Sequence, residues 1–189
     1  MSGVLDAACE IQQYLQEKGW PFCIIGGIAL ARWGKPRATG DVDISLLTGF
    51  GEEEKFLDSL LARFSVRMEN SRAFALTNRV LLLQASNGIG LDVALAGLPF
   101  EERVIQRSSP FDFGFGVTLQ TISAEDLVVL KAFAGRPQDK IDVEGVLVRQ
   151  GAGLHWEQIL AELTPLCELK EAPEIVDQLI HLRDKLASE

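Results

Sequence analysis

The stretch FCIIGGIALARWGKPRATGDVDISLL, Phe22 to Leu47, constrains the fold more than any other part of the chain. An apolar run from Phe22 ends in two glycines, Gly26 and Gly27, and the residues from Ile28 to Trp33 then read as a helix. Gly34 and Pro36 stop that helix. Asp41 to Leu47 alternates with the period of two that belongs to a strand. Strand, glycine turn, short helix and second strand thus follow one another closely, and the second strand opens on two acids one residue apart.

The remaining pattern predicts an opening amphipathic helix over 4–18, where Val4, Leu5, Ala8, Ile11 and Leu15 share a face before Gly19. Gly51 to Phe64 reads as a helix with acids in its first turn, where the helix dipole favours them. Ala73–Thr77, Val80–Ala85 and Leu91–Ala96 read as an antiparallel meander, with Asn87-Gly88 as the last turn. Val104-Ile105 and Phe115–Leu119 read as short strands. Ser123 is an N-cap for the run up to Gly135; Gln138–Arg149, Trp156–Leu163 and Glu171–Leu186 are further helical segments. Gly151 to Gly153 is the best boundary, dividing a domain over 1–150 from a helical extension over 151–189.

At 189 residues the chain can bury one full core. No apolar run approaches the roughly 18 residues a bilayer span needs, and the acidic, amphipathic N-terminus lacks the features of a signal peptide, so a cytoplasmic protein is expected. Cys9, Cys23 and Cys167 fit no zinc or disulfide framework and read as buried thiols. Eighteen Lys and Arg against 27 Asp and Glu leave a net charge of −9, which opposes extensive nucleic-acid binding. A local patch from Arg72, Arg79, Arg103 and Arg107 would be the exception.

In a strand, Asp41, Asp43 and Ser45 share one face and Val42, Ile44 and Leu46 the other. The two carboxylates are spaced by roughly 6.5 Å between Cα atoms, within reach of one hard cation. IGLDVALAG repeats the pattern with Asp92 among small residues, and if the two strands are neighbours all three acids project from one face. Magnesium takes oxygen ligands from few carboxylates and shares the rest with water and phosphate. An Asp-x-Asp pair can also merely solvate an outer sheet face. Gly26-Gly27 opens a helix with no Cβ to keep an anion away, although paired glycines are ordinary in turns as well. The glycine spacing of a Rossmann fingerprint and the Walker GK[ST] sequence are both missing.

Gly26-Gly27, thirteen residues, Asp41-Val42-Asp43-Ile44 and the later Asp92 together resemble the nucleotidyltransferase superfamily of the DNA polymerase β type in its minimal form. Asp126-Leu-Val-Val-Leu-Lys131 and Arg136-Pro-Gln-Asp139-Lys-Ile-Asp142 are similar to segments of bacterial proteins related to the AbiEii-like toxins of type IV toxin–antitoxin systems. The resemblance covers about residues 20–148. It implies an α/β (α+β) fold with a mixed, largely antiparallel sheet flanked by helices, and a Mg-NTP between the glycine turn and the acidic strands. By position, Asp41, Asp43 and Asp92 would be catalytic and hold metal, and Gly26 and Gly27 would hold the triphosphate. Arg37, Thr39, Lys131 and Arg136 are the further candidates for contact with nucleotide. Lys131 can equally snorkel to solvent, and Arg136, Asp139 and Asp142 can equally form a structural ion-pair network. His155 and His181 receive no role.

The function expected is Mg²⁺-dependent transfer of a nucleoside monophosphate from an NTP to a hydroxyl of a protein, tRNA or small molecule, and the resemblance adds a toxin-like role and a cognate antitoxin to the functions and partners it implies. A non-catalytic nucleotide- or partner-binding module retaining the fold is the second reading, against which the intact acidic set speaks. Structural calcium is the third, and it would want more oxygen ligands than three acids supply.

Overall fold

The computed structural model describes residues 2–188. The chain divides into two compact units, the first up to Ala29 and from Ala38 to Ile122, the second Leu30–Arg37 and from Ser123 onward.

In the first unit the elements in chain order are α1 (Ser2–Glu17), β1 (Phe22–Ile24), α2 (Gly26–Trp33), β2 (Asp41–Leu47), α3 (Glu53–Arg63), β3 (Ser65–Val66), α4 (Ser71–Asn78), β4 (Val80–Gln84), β5 (Gly90–Ala96), α5 (Pro99–Arg107), β6 (Ser109–Asp112) and β7 (Thr118–Thr121). Only the start of α2, up to Ala29, belongs to this unit. Among the described residues seven strands form one sheet in the order β3-β4-β5-β2-β1-β7-β6. Pairings are antiparallel except for β2 with β5 and β1 with β7. The sheet is therefore mixed and mostly antiparallel, as expected.

The period-two pattern decides which face is inside. Val42, Ile44 and Leu46 of β2 and Leu91, Val93 and Leu95 of β5 join one core with Ala8, Ile11 and Leu15 of α1 and Phe56, Leu57 and Leu60 of α3. Fully burying one such Leu or Ile stabilises the fold by about 1.5–3 kcal/mol. In the parallel β2–β5 pair Asp43 is the register partner of Asp92 and Asp41 that of Gly90, so the acids share the opposite face.

Three short apolar runs depart from expectation. Ala73–Thr77 lies in α4, not in a strand, and its buried residues are Ser71 and Ala75, one helical turn apart. Asn70 and Arg79, both with left-handed backbone, stop the helix at either side (φ 56 and 54). The strand next to β4 is instead β3, Ser65 opposite Gln84. Val104 and Ile105 belong to α5, where they are buried with Phe100 one turn earlier. Glu101 closes the start of that helix by accepting from the Gly97 and Leu98 amides at 2.8 Å. Phe115 lies before β7, with φ 54, in the link between β6 and β7. Runs this short carry too few periods to separate helix from strand.

The second unit is helical. α6 (Ala124–Ala134), α7 (Pro137–Gln150), α8 (Trp156–Leu169) and α9 (Glu174–Ala187) are joined by short links, with a 3-10 turn at Gly151–Gly153. Ser123 Oγ caps α6 by accepting from the Asp126 amide at 3.1 Å, and Gly135 ends it in left-handed conformation. Asp126 is fully buried, bonded by Ser123 Oγ at 2.8 Å and Gln158 Nε2 at 3.5 Å. α7 also holds the segment Leu30–Arg37: Arg149 donates to the carbonyls of Ala31 and Gly34, and Gln150 to that of Trp33. Among the described residues no helix is long and apolar enough to cross a membrane.

Candidate active site

The glycine pair and the acidic strand, separate in sequence, meet in the first unit, Gly26 at Asp43 and Gly27 at Thr39. β1 runs antiparallel to β2, and the Ile25 amide donates to the Asp43 carbonyl at 2.9 Å. That places the first turn of α2 over the start of β2. Gly26 has φ +62, and a Cβ there would collide with the Asp43 carboxylate, 2.5 Å from its Cγ. A Cβ on Gly27 would come within 2.7 Å of the Thr39 side chain. Both glycines are thus required by close approach, the first by its backbone conformation as well. Thr39 Oγ1 in turn lies 3.2 Å from the Asp41 carbonyl and 3.3 Å from its Oδ1, which orients the residue that enters β2.

Asp92 stands beside Asp43 on β5. Its partner is Arg67, which follows β3 and donates through Nη2 to Asp92 Oδ1. The guanidinium lies against Gly90, where a Cβ would be 2.7 Å from Arg67 Nη1 and 3.4 Å from the Asp41 Cβ. Neither Arg67 nor Gly90 was a candidate from sequence. Gly90 had a signal, since period two puts it on the face of Asp92. Arg67 had none, because only the pairing of β3 with β4 carries it to β5.

The donor set is chemically suited to a hard cation: carboxylate oxygens on one sheet face, one of them approached by the backbone of Gly26, which has no side chain to displace it. As they stand, however, no three acidic, histidine or cysteine side chains among the described residues are gathered around one point. Asp92 is turned to Arg67. The amides at the start of α2 supply the complementary feature, partial positive charge where an anion would approach Asp43.

Lys131, Arg136 and Arg37 belong to the second unit, in a closed charge cluster. Lys131 Nζ lies 2.6 Å from Asp142 Oδ2 and 3.2 Å from Asp139 Oδ1, with all three side chains buried. Arg136 donates to Asp139 at 2.6 Å, Arg37 to Asp142 at 3.1 Å, and Gln138 to Asp142 at 3.0 Å. Burial pushes the Asp142 carboxyl up, but the bonds from Arg37, Lys131 and Gln138 outweigh it and hold it below the ordinary carboxylate value. Asp139 is likewise held low, with Arg136 and Lys131 overcoming the effect of burial. Of the arginines considered as a basic patch, Arg72 is matched to Asp58 and Arg79 to Glu53.

Comparison with known proteins bears on the family and the fold. Residues 3–166 match the family described as "Nucleotidyltransferase of unknown function (DUF6036)". None of the curated proteins matches the chain. Among solved structures, that of the antibiotic-resistance factor ANT(2'')-Ia in solution is similar with a TM-score of 0.59 and 18% identity, over 92% of this chain and 96% of that one. An antigenic nucleotidyltransferase-like protein from Paracoccidioides brasiliensis gives 0.49 and 15% over 93% and 91%. The lincosamide antibiotic adenylyltransferase LnuA with lincomycin bound gives 0.49 and 14% over 75% and 94%. The chain belongs to the DUF6036 nucleotidyltransferase family and is by that family a nucleotidyltransferase, with a fold shared with ANT(2'')-Ia.

Proposed function

We propose that this nucleotidyltransferase moves a nucleoside monophosphate from a Mg-NTP to a hydroxyl of a small molecule, at the site formed by Gly26, Gly27, Thr39, Asp41, Asp43 and Asp92. The observation that carries the reading is the stacking of Gly26 on the Asp43 carboxylate beside Asp92. It brings a helix start suited to phosphate and carboxylates suited to its counter-cation into contact.

In this reading Gly26 and Gly27 present backbone amides to the triphosphate, and Thr39 holds Asp41 at the entry of β2. Asp41 and Asp43 would hold Mg²⁺, with Asp92 as third ligand or as the base that takes the proton of the acceptor hydroxyl. When bound, Mg²⁺ supplies charge stabilisation to the phosphoryl oxygens and the departing pyrophosphate. The acceptor oxygen forms a bond to the α-phosphorus as the bond to the bridging oxygen of the β-phosphate breaks, and the hydroxyl proton leaves to Asp92 or water. No protein nucleophile is needed. Lys131, Arg136 and Arg37 have carboxylate partners that account for them without a phosphate, and we assign them to holding the second unit.

A small acceptor is supported by the charge of −9, which disfavours RNA, and is consistent with the presence of this fold in an antibiotic-resistance factor. The toxin role implied by the AbiEii-like segments would differ in using a protein or tRNA acceptor. Thermal unfolding of wild type and Asp43→Ala with each NTP, with and without Mg²⁺, tests the site. Ligand at about 100 times its dissociation constant stabilises by roughly 2.7 kcal/mol, a readily measured shift. A Mg-dependent shift in the wild type alone is expected; no shift with any NTP would favour the non-catalytic module. Radiolabel transfer from the preferred NTP to small-molecule, tRNA or protein fractions then separates the acceptors.

A further inference from the structure

The Arg67–Asp92 pair has no place in the mechanism above, yet its setting is built. Arg67 reaches β5 from the edge of the sheet, and its guanidinium rests in space that exists because residue 90 has no side chain. It bonds the one acid of the three that is neighbour to Asp43 across the strands. Both side chains are about one-third exposed, 30% and 29%, so the pair is reachable by solvent and by a competing ion. Three carboxylates on one face repel one another, and one guanidinium offsets part of that repulsion. A carboxylate oxygen in a charge-assisted bond to arginine is also withdrawn from a metal, since the two cations use the same lone pairs.

We propose that Arg67 is an internal counter-ion exchanged for the divalent cation: it holds Asp92 until cation and nucleotide arrive together, and then releases it. This rests on the reading of Asp41, Asp43 and Asp92 as a metal site. The consequence is that the cation alone binds poorly to the nucleotide-free protein, because it must displace the guanidinium without the phosphate oxygens that would complete its shell. Gly90 is a positioning residue in the same device. Its backbone is not in the left-handed region, so alanine is tolerated there in conformation, while the added Cβ would crowd Arg67 Nη1 at 2.7 Å and drive the guanidinium out of its seat.

Mn²⁺ binding to the nucleotide-free protein, followed by the electron paramagnetic resonance of free Mn²⁺, tests this in wild type, Arg67→Gln, Gly90→Ala and Arg67→Gln/Asp92→Asn. The expected result is an affinity raised about threefold to tenfold in Arg67→Gln, the scale of removing a partly exposed competing ion pair. Gly90→Ala should move in the same direction by less, and the gain should vanish in the double variant. Unchanged or weakened Mn²⁺ affinity in both single variants would overturn the exchange, whatever their activity. If the wild type still shows its Mg-dependent NTP shift in that case, the transferase reading stands; if it shows none, both fall.

Discussion

The molecule holds two clusters of aspartate and basic side chains, and they are built in opposite ways. In the second unit Lys131, Arg37 and Arg136 surround Asp139 and Asp142, whose side chains are only 3% and 2% exposed, with bonds from every side. In the first unit Asp41, Asp43 and Asp92 line an open sheet face, and Arg67 is bonded to one of them. Burial makes the first arrangement closed, since an unpaired charge there would be costly. Partial exposure lets the second hold its carboxylates along a sheet face with Arg67 on Asp92, as the proposed metal-nucleotide site would require. The residue types alone do not distinguish the two.

The sharpest way to break the contrast is to remove one carboxylate from the open site. Asp43→Ala should abolish transfer, measured as pyrophosphate release, while the metal-free melting temperature stays unchanged or rises because repulsion is relieved. Retained turnover would sink the assignment. The same surgery in the closed cluster should do the reverse: Lys131→Met leaves two buried carboxylates short of their central cation and should cost about 3–5 kcal/mol in denaturant unfolding. A loss below about 1 kcal/mol would mean that the cluster is not a stabilising unit.

Gly26→Ala sharpens the comparison further. The left-handed backbone and the collision with Asp43 should together cost about 1–3 kcal/mol, and the cost should be smaller in an Asp43→Ala background, where the collision is gone. Strict additivity in that double-mutant cycle would contradict the contact. The smallest effect expected is on pH dependence. Because Asp139 and Asp142 titrate below their ordinary value in the fold, their contribution is fully present above the unfolded value of about 3.9. It is lost as pH falls from there through the depressed native values. Asp142→Asn should therefore flatten the acid limb of the stability profile below about pH 4, and an unaltered limb would mean that the bonds do not hold that carboxyl down.

Much of the fold was legible where patterns were long. Strands β2 and β5, the hairpin between β4 and β5, α1, and the capped α6 follow from period, turn and cap residues that act over a few positions. The acids were legible for the same reason, since alternation alone puts Asp41 and Asp43 on one face. α4 and α5 were not, because their apolar runs are too short to show a period and left-handed residues or a capping glutamate fixed their ends. An ion-pair network of Arg136, Asp139 and Asp142 was legible as one reading of their motif, but that Lys131 and Arg37 join it was not, because that pairing depends on which segments meet.

What the sequence by itself determined, then, is the local geometry: a glycine pair that only a tight turn can use, and carboxylates aimed to one side of their strands. The tertiary structure decided which of them meet. It set β5 beside β2 so that Asp92 flanks Asp43, laid Gly26 on that carboxylate, and brought Arg67 across from the sheet edge to Asp92. Period and turn chemistry act within a few residues, whereas strand order and register arise from burying whole faces at once, and no single segment encodes them.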